Sequence, residues 1–239
     1  MDKHNGATLV VGADSDIGSA LVKRLNGTVI AHYFLFPDKL DDAPDGTVKI
    51  SGDLSNEQGI LDFIAEVNAT GLTVERIVHL PSAPAVANRF RKFDTARFMK
   101  GLYIQYISAA LIFREFLPKM AKAKFGRVAA ILTSYCIGVP PKYLSEYVST
   151  KYAMMGLCKA LAAEYAANGI TVNAVAPSMV DTKFLSTLPE FEIEANAKAN
   201  PTGRNASVDD VVNGLLFLLS DESEYINGAV IPITGGSAF

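Results

Sequence analysis

The stretch Ala7-Thr8-Leu9-Val10-Val11-Gly12-Ala13-Asp14-Ser15-Asp16-Ile17-Gly18 decides the fold of this 239-residue chain. An apolar run rich in β-branched residues ends on a glycine, polar residues follow, and an amphipathic segment over 17–25 begins at once. That order reads as strand, tight loop, helix. A strand without a polar face is buried on both sides, so helices must cover both faces of its sheet. The turn aims backbone N–H groups and a helix N-terminus at an anion such as a pyrophosphate, and glycines let that anion approach the backbone. Asp16 pulls in two directions, because a carboxylate suits a helix start yet repels phosphate. An ordinary turn with Asp as N-cap stays open as the second reading.

The same alternation recurs along the chain. Strands are predicted at 28–33, 47–51, 75–80, 127–133, 170–176 and near 229–233, with helices over 57–68, 95–124, 145–168 and 208–219. Apolar strands separated by helices imply parallel pairing through right-handed crossovers. The expectation is an α/β fold, a doubly wound parallel sheet of about seven strands in a single domain over 1–239, with its ligand at the strands' carboxyl ends. The segment 181–204, with Pro189, Pro201 and a mildly amphipathic middle, is too long for a plain connection and reads as a lid or substrate loop.

Composition narrows the function. A net charge of −3 with interspersed acids and bases gives no electrostatic case for nucleic acid or an anionic membrane. Cys136 and Cys158 lack metal-ligand spacing with the three histidines, so no metal is expected and both thiols read as reduced. No apolar run reaches the roughly 20 residues needed to cross a bilayer. The N-terminus leads directly into a strand, and the expected location is cytoplasmic.

The run Ser145-Glu146-Tyr147-Val148-Ser149-Thr150-Lys151 carries the chemistry. On a helix, Tyr147 and Lys151 lie about 40° apart on one face. An ammonium beside a phenol favours the phenolate and can bring a tyrosine toward useful proton transfer at neutral pH. Ser134, thirteen positions before Tyr147, offers a hydroxyl to hold a carbonyl.

With these residues in order, the chain resembles the short-chain dehydrogenase/reductase family in its compact single-domain form. Further matches are Asp53-Leu54 after the third strand, Gly126-Arg127-Val128 entering the fifth, 170–177 at the sixth, Thr182, Asn227-Gly228-Ala229 and Gly235-Gly236. The resemblance implies a nicotinamide cofactor, NAD or NADP, held by Gly12, Asp14, Ser15, Asp16, Ile17, Gly18, Tyr33, Asp53, Leu54, His79, Pro81, Tyr147, Lys151, Pro177 and Thr182. It implies catalysis by Ser134, Tyr147 and Lys151, with Gln105 at the position of a helix asparagine that holds a relay water near the lysine. Ser134 then bonds the substrate oxygen, Tyr147 protonates it, and Lys151 holds the ribose and stabilises the tyrosinate. The sequence departs from the family at Asp16, where a glycine is usual, at His79-Leu80-Pro81-Ser82 in place of Asn-Asn-Ala-Gly, and at Gln105.

The second strand ends without the carboxylate that favours NAD or the arginine that favours NADP. Asp14 and Asp16 tilt the reading toward NAD, while His32 or Tyr33 could bond an extra phosphate. The substrate is a small-molecule carbonyl or alcohol, moderately hydrophobic, facing 135–144 and the lid. The pattern is most like 3-oxoacyl carrier-protein reductases, which makes a carrier-bound thioester one candidate. Arg127 matches a carrier-docking position, and Arg89, Arg91, Lys92, Arg97 and Lys100 form a second basic cluster that reads first as a solvated face. By resemblance, the long helices assemble the chain into a homotetramer or homodimer. The departures around one site leave a second class open: a catalytically impaired member that binds a ligand or a partner.

Overall fold

Strand periodicity, not length, organises the core. In β1 (Ala7–Val11), Leu9 and Val11 join an apolar layer with α2 (Glu57–Ala69), α4 (Ser108–Ala123) and α5 (Ser145–Tyr165). Val10, pointing the other way, joins α1 (Asp16–Arg24) and α7 (Val208–Leu219). Alternate residues of a strand face opposite sides, so one uninterrupted apolar run feeds two cores.

Those cores sandwich a seven-stranded parallel sheet that also contains β2 (Val29–Tyr33), β3 (Val48–Ser51), β4 (Val74–His79), β5 (Gly126–Ile131), β6 (Ile170–Pro177) and β7 (Val230–Ile233). The chain is described over residues 4–238 by a computed structural model. The strand order β3-β2-β1-β4-β5-β6-β7 reverses direction between β1 and β4. The crevice beyond the carboxyl ends of strands at such a switch point is where this architecture binds ligands. No helix of the described residues is long and apolar enough to cross a membrane.

Helix starts are set by side chains. Ser15 accepts the Gly18 N–H at the head of α1, Asn56 accepts the Gly59 N–H at α2, and Ser207 with Asp210 forms a reciprocal capping box at α7. Each such cap contributes about 1 kcal/mol. Gly18 is required for a different reason. A Cβ there would lie 2.3 Å from the Gly12 carbonyl oxygen and 2.7 Å from Ala13 Cα, both backbone atoms that cannot swing away. Gly18→Ala is therefore expected to cost about 2 kcal/mol in urea unfolding, because α1 must back away from β1.

Three elements differ from the sequence reading. The helix expected over 95–124 is interrupted: α3 (Thr95–Leu102) and α4 flank a wide π turn over Tyr103–Ile107, where the Ser108 N–H reaches back to the Tyr103 carbonyl. Side chains bond carbonyls of the disturbed ladder. The Ser108 hydroxyl donates to Ile104 O at 2.7 Å, and Gln105 Nε2 donates to Gly101 O at 3.4 Å. The lid segment is more ordered than a loop, with a helical turn at Lys183–Thr187 and a further helix, α6 (Glu190–Ala199). Finally, β5 stops at Ile131, two positions before the predicted end, because a tight helical turn over Ser134–Cys136 takes over the backbone.

Candidate active site

The phosphate loop begins at Gly12, whose φ of +80° suits glycine and few other residues. It is pinned on two sides. Its N–H donates to His32 Nδ1 at 3.0 Å, and a Cβ on it would meet Pro81 N at 3.3 Å. Ser15 closes the turn, donating to the Gly12 carbonyl at 2.8 Å while capping α1. Ile17 packs down onto the α1/α7 core. Asp14 turns sideways: one carboxylate oxygen accepts the N–H groups of Phe34, Leu35 and Phe36 at 3.0, 3.0 and 3.2 Å. Asp16 reaches across the crevice, accepting the Lys183 N–H at 2.7 Å and pairing with the Lys39 ammonium.

At the end of β2, His32 is not available to a phosphate. It is buried, with Nδ1 taken by Gly12 and Nε2 donating to the Gly52 carbonyl at 3.0 Å. Burial pushes its pKa down, so the ring is a neutral strut between β1 and β3. Tyr33 closes the strand half-buried, its carbonyl accepting the Gly52 N–H at 3.1 Å. Asp53 accepts the Ser55 N–H at 2.8 Å, which tightens the turn into α2, and Leu54 is buried in the α2/α4/α5 core.

Tyr147 and Lys151 emerge from the first turns of α5. Lys151 is almost wholly buried; its ammonium donates to the Ile131 carbonyl at 3.1 Å and lies 5.8 Å from the centre of the Tyr147 ring. Loss of solvent pushes the Lys151 pKa down to about 8. Burial pushes that of Tyr147 up to about 12, against smaller lowering contributions from the Thr133 and Ser82 hydroxyls. Desolvation is the largest influence on Tyr147, and it holds the phenol protonated.

Two hydroxyls, Thr133 and Ser82, help to lower the Tyr147 pKa, and Thr133 directly precedes the Ser134 that spacing singled out. Thr133 caps the turn over Ser134–Cys136, its Oγ1 accepting the Tyr135 N–H at 3.4 Å. Ser134 is buried beside it, with its carbonyl accepting the N–H groups of Ile137 and Gly138. Counting back from Tyr147 selected one of two adjacent hydroxyls. A Thr directly before a turn is a capping residue, and that role fixes the Thr133 hydroxyl in place.

Gln105 is brought close, but not to Lys151. Its Oε1 accepts from Ser82 at 3.3 Å and its Nε2 donates to Thr150 Oγ1 at 2.8 Å, which in turn donates to the Tyr147 carbonyl at 2.8 Å. These contacts form a chain Ser82–Gln105–Thr150 that braces the Tyr147 turn. His79 lies deeper still, 2% exposed. Because the Ser108 hydroxyl donates to Ile104 O, His79 Nε2 must be the donor across the 2.9 Å to Ser108, and burial drops its pKa to about 3. It is a core histidine behind Pro81.

On the far wall, Pro177 ends β6 in register with Ile233, and Thr182, just before the lid's helical turn, has its hydroxyl donating to Val180 O at 3.2 Å. A depression of about 390 Å³ lies under the lid between Asp181, Thr182, Leu185 and Ile193. A cavity of about 260 Å³ adjoins Tyr147, lined by Ala83, Val86, Phe98, Gln105 and the Arg97–Glu146 ion pair at 2.7 Å. The 83–101 segment thus lines the cavity beside Tyr147, and the expected lid lines the other. Arg127 does not face solvent: it is 4% exposed, donating to the carbonyls of Gly126, Gly169 and Ser220 and stacked over Phe125 at 4.6 Å. It cannot dock a carrier in this geometry. Arg89, Arg91, Lys92 and Lys100 are exposed.

A strand-to-helix turn with a glycine at positive φ, a second glycine pressed against the backbone, and an α-helix N-terminus fits the diphosphate of a dinucleotide. Lys151 and Tyr147 lie together near the end of β5, and Thr182 lies beyond the end of β6. These features define a class, and the chain belongs to the short-chain dehydrogenase/reductase family: the family model described as enoyl-(acyl carrier protein) reductase matches residues 21–238. It is an NAD(P)-dependent oxidoreductase acting on a CH–OH/C=O group.

Individual relatives carry mixed names. The 3-oxoacyl-(acyl-carrier-protein) reductase of Rickettsia bellii is 26% identical over 99% of this chain and 98% of its own length. Xanthoxin dehydrogenase of Arabidopsis thaliana is 30% identical, covering 98% of this chain and 81% of its own. Among solved structures, a 3-oxoacyl-(acyl-carrier-protein) reductase from Agrobacterium tumefaciens C58 with NADP bound superposes with a TM-score of 0.88 at 26% identity, covering 98% and 94% of the two chains.

Proposed function

We propose that this protein reduces the carbonyl of a moderately hydrophobic ketone, a 3-oxoacyl thioester being one such substrate, with Tyr147 as the proton donor. The observation that carries this reading is the convergence of Tyr147, Lys151 and the Thr133 hydroxyl beyond the carboxyl end of β5, on the crevice that the phosphate loop opens. When bound, the nicotinamide nucleotide supplies the hydride. The Tyr147 phenol gives its proton to the oxygen that becomes an alcohol. The Lys151 ammonium stabilises the tyrosinate left behind and holds the ribose hydroxyls. Thr133 and Ser134 are the hydroxyls available to hold the substrate oxygen while charge develops on it. Gln105 is a positioning residue that braces Ser82 and Thr150.

The cavity beside Tyr147, apolar along Val86 and Phe98, supports a hydrophobic substrate. The exposed Arg89, Arg91, Lys92 and Lys100 give an anionic carrier or phosphorylated tail a place to lie outside it. The names of the reductase relatives in Rickettsia and Agrobacterium support the thioester, whereas xanthoxin dehydrogenase supports a smaller ketone or alcohol. Either NAD or NADP suits the proposal. Asp14 places a carboxylate beside Phe34–Phe36 at the end of β2, as an NAD site would; the Agrobacterium relative holds NADP, and the lean to NAD drawn from the loop carboxylates gains no support from it. A homotetramer or homodimer through α4 and α5 completes the proposal, with light scattering as its check.

The test is reduction of a carbonyl panel, from small ketones to 3-oxoacyl thioesters, followed by NADH and NADPH consumption. Turnover of at least one supports the assignment. Nucleotide binding with no turnover across the panel would favour the non-catalytic binder, which the departures at Asp16 and Gln105 motivate. The pH profile adds a second expectation. Lys151 is protonated below about 8 and loses its charge as pH rises through that value. Carbonyl reduction at saturating substrate is expected to fall on the alkaline side of about 8, and a rate that still rises there would exclude Lys151 as the stabilising cation.

A further inference from the structure

Asp16 stands where the family places a glycine, and its carboxylate is neither free nor turned away from the crevice. It bridges three elements: the phosphate loop that carries it, the turn after β2 through the Lys39 ammonium, and the exit of β6 through the Lys183 N–H at 2.7 Å. The ion pair is sheltered, with Asp16 and Lys39 side chains 25% and 18% exposed. Opposing influences act on the carboxyl: burial raises its pKa, Lys39 and the Lys183 N–H lower it, and the net result lies below the ordinary value. The group is an anion at every physiological pH.

The loop after β1 and the segment after β6 both stand beyond the carboxyl ends of the strands, the side of such sheets on which ligands sit. The Asp16 side chain, bonded from one to the other, spans the mouth of the phosphate loop. Its negative charge also lies at the first residue of α1, the helix end that otherwise attracts a phosphate.

We propose that the Asp16 carboxylate is a built-in occupant of the diphosphate seat, and that nucleotide binds only when it releases Lys39 and the Lys183 N–H. The inference rests on the dinucleotide reading above and adds a specificity residue to it. Asp16 weakens nucleotide binding and couples that binding to release of the lid's first helical turn from the phosphate loop. The released Lys39 ammonium and Lys183 N–H are then free to meet the phosphates that displaced the carboxylate.

The test is fluorescence titration of the wild type, Asp16→Asn and Asp16→Gly with NADH and with NADPH. Asp16→Asn retains an acceptor for the Lys183 N–H and removes the charge; Asp16→Gly removes both. The expected result is a Kd at least tenfold lower for Asp16→Gly, with Asp16→Asn between it and the wild type. Amide exchange at Lys183 without nucleotide should quicken in Asp16→Gly. If the wild type binds a nucleotide and neither variant binds it more tightly, the proposal is overturned while the oxidoreductase reading stands. If none of the three proteins binds either nucleotide, the dinucleotide reading fails and this inference falls with it.

Discussion

Tyr147→Phe is expected to lower kcat for carbonyl reduction about 1,000-fold and to leave the Kd for nucleotide within about threefold. The substitution removes one oxygen and no packing volume, so the aromatic ring still fills its place beside Lys151. The phenol is held protonated by burial, with its pKa near 12, and its proton can leave only toward a group that develops matching basicity. A carbonyl oxygen receiving hydride is such a group. Stopped-flow measurement of nucleotide oxidation, alongside equilibrium titration, separates chemistry from binding. Undiminished turnover in the variant would remove Tyr147 from the mechanism.

The second large effect distinguishes two neighbouring hydroxyls. Thr133→Val should lower kcat/KM about 100-fold, in the range found when one preorganised donor to a developing oxyanion is lost. Ser134→Ala should lower it less than about tenfold, because Thr133 and Ser82 are the hydroxyls that interact with the Tyr147 phenol. Thr133→Ser keeps the hydroxyl and the cap over the Ser134–Cys136 turn, and should recover most of the activity. The reverse order of effects would return the role to Ser134. Equal, small effects in both would place the substrate oxygen elsewhere.

The architecture was readable because burial on two faces leaves strands no polar alternation. Leu9, Val10 and Val11 could belong only to an inner strand covered by helices, and the loop from Gly12 to Gly18 could only be a strand-to-helix turn. That Tyr147 and Lys151 share one face followed from helical spacing, which survives wherever the helix starts, whereas their roles in catalysis were read from the resemblance. What escaped was one-residue accuracy and the orientation of polar side chains. The end of β5 depends on whether Leu132 and Thr133 continue a ladder or enter a turn, and hydrophobicity is blind to that choice. Arg127 carries the expected residue type at the expected position, yet its guanidinium is consumed by three carbonyls. His32 likewise sits at the expected place and points inward, because the Gly12 N–H and Gly52 carbonyl offer it better partners than water.

The wide turn at Tyr103–Ile107 bears on how this protein can change length. A π turn holds one more residue than the α-helical turn it replaces, so the long helical rod between Thr95 and Ala123 has a spare position built into it. Removing a single residue from 103–107 would let α3 run directly into α4, with Ile112, Phe113 and Leu117 still presented to the same side of the sheet. Tyr103 and Ile107 themselves pack against that core, so the position that can go lies among 104–106. What would be lost is the reach of the Gln105 amide to Thr150. Two chains differing by one residue here could share the α4 face of the hydrophobic interior and part company in the brace behind Tyr147, which makes this turn a point where sequence alignments slip without the fold noticing.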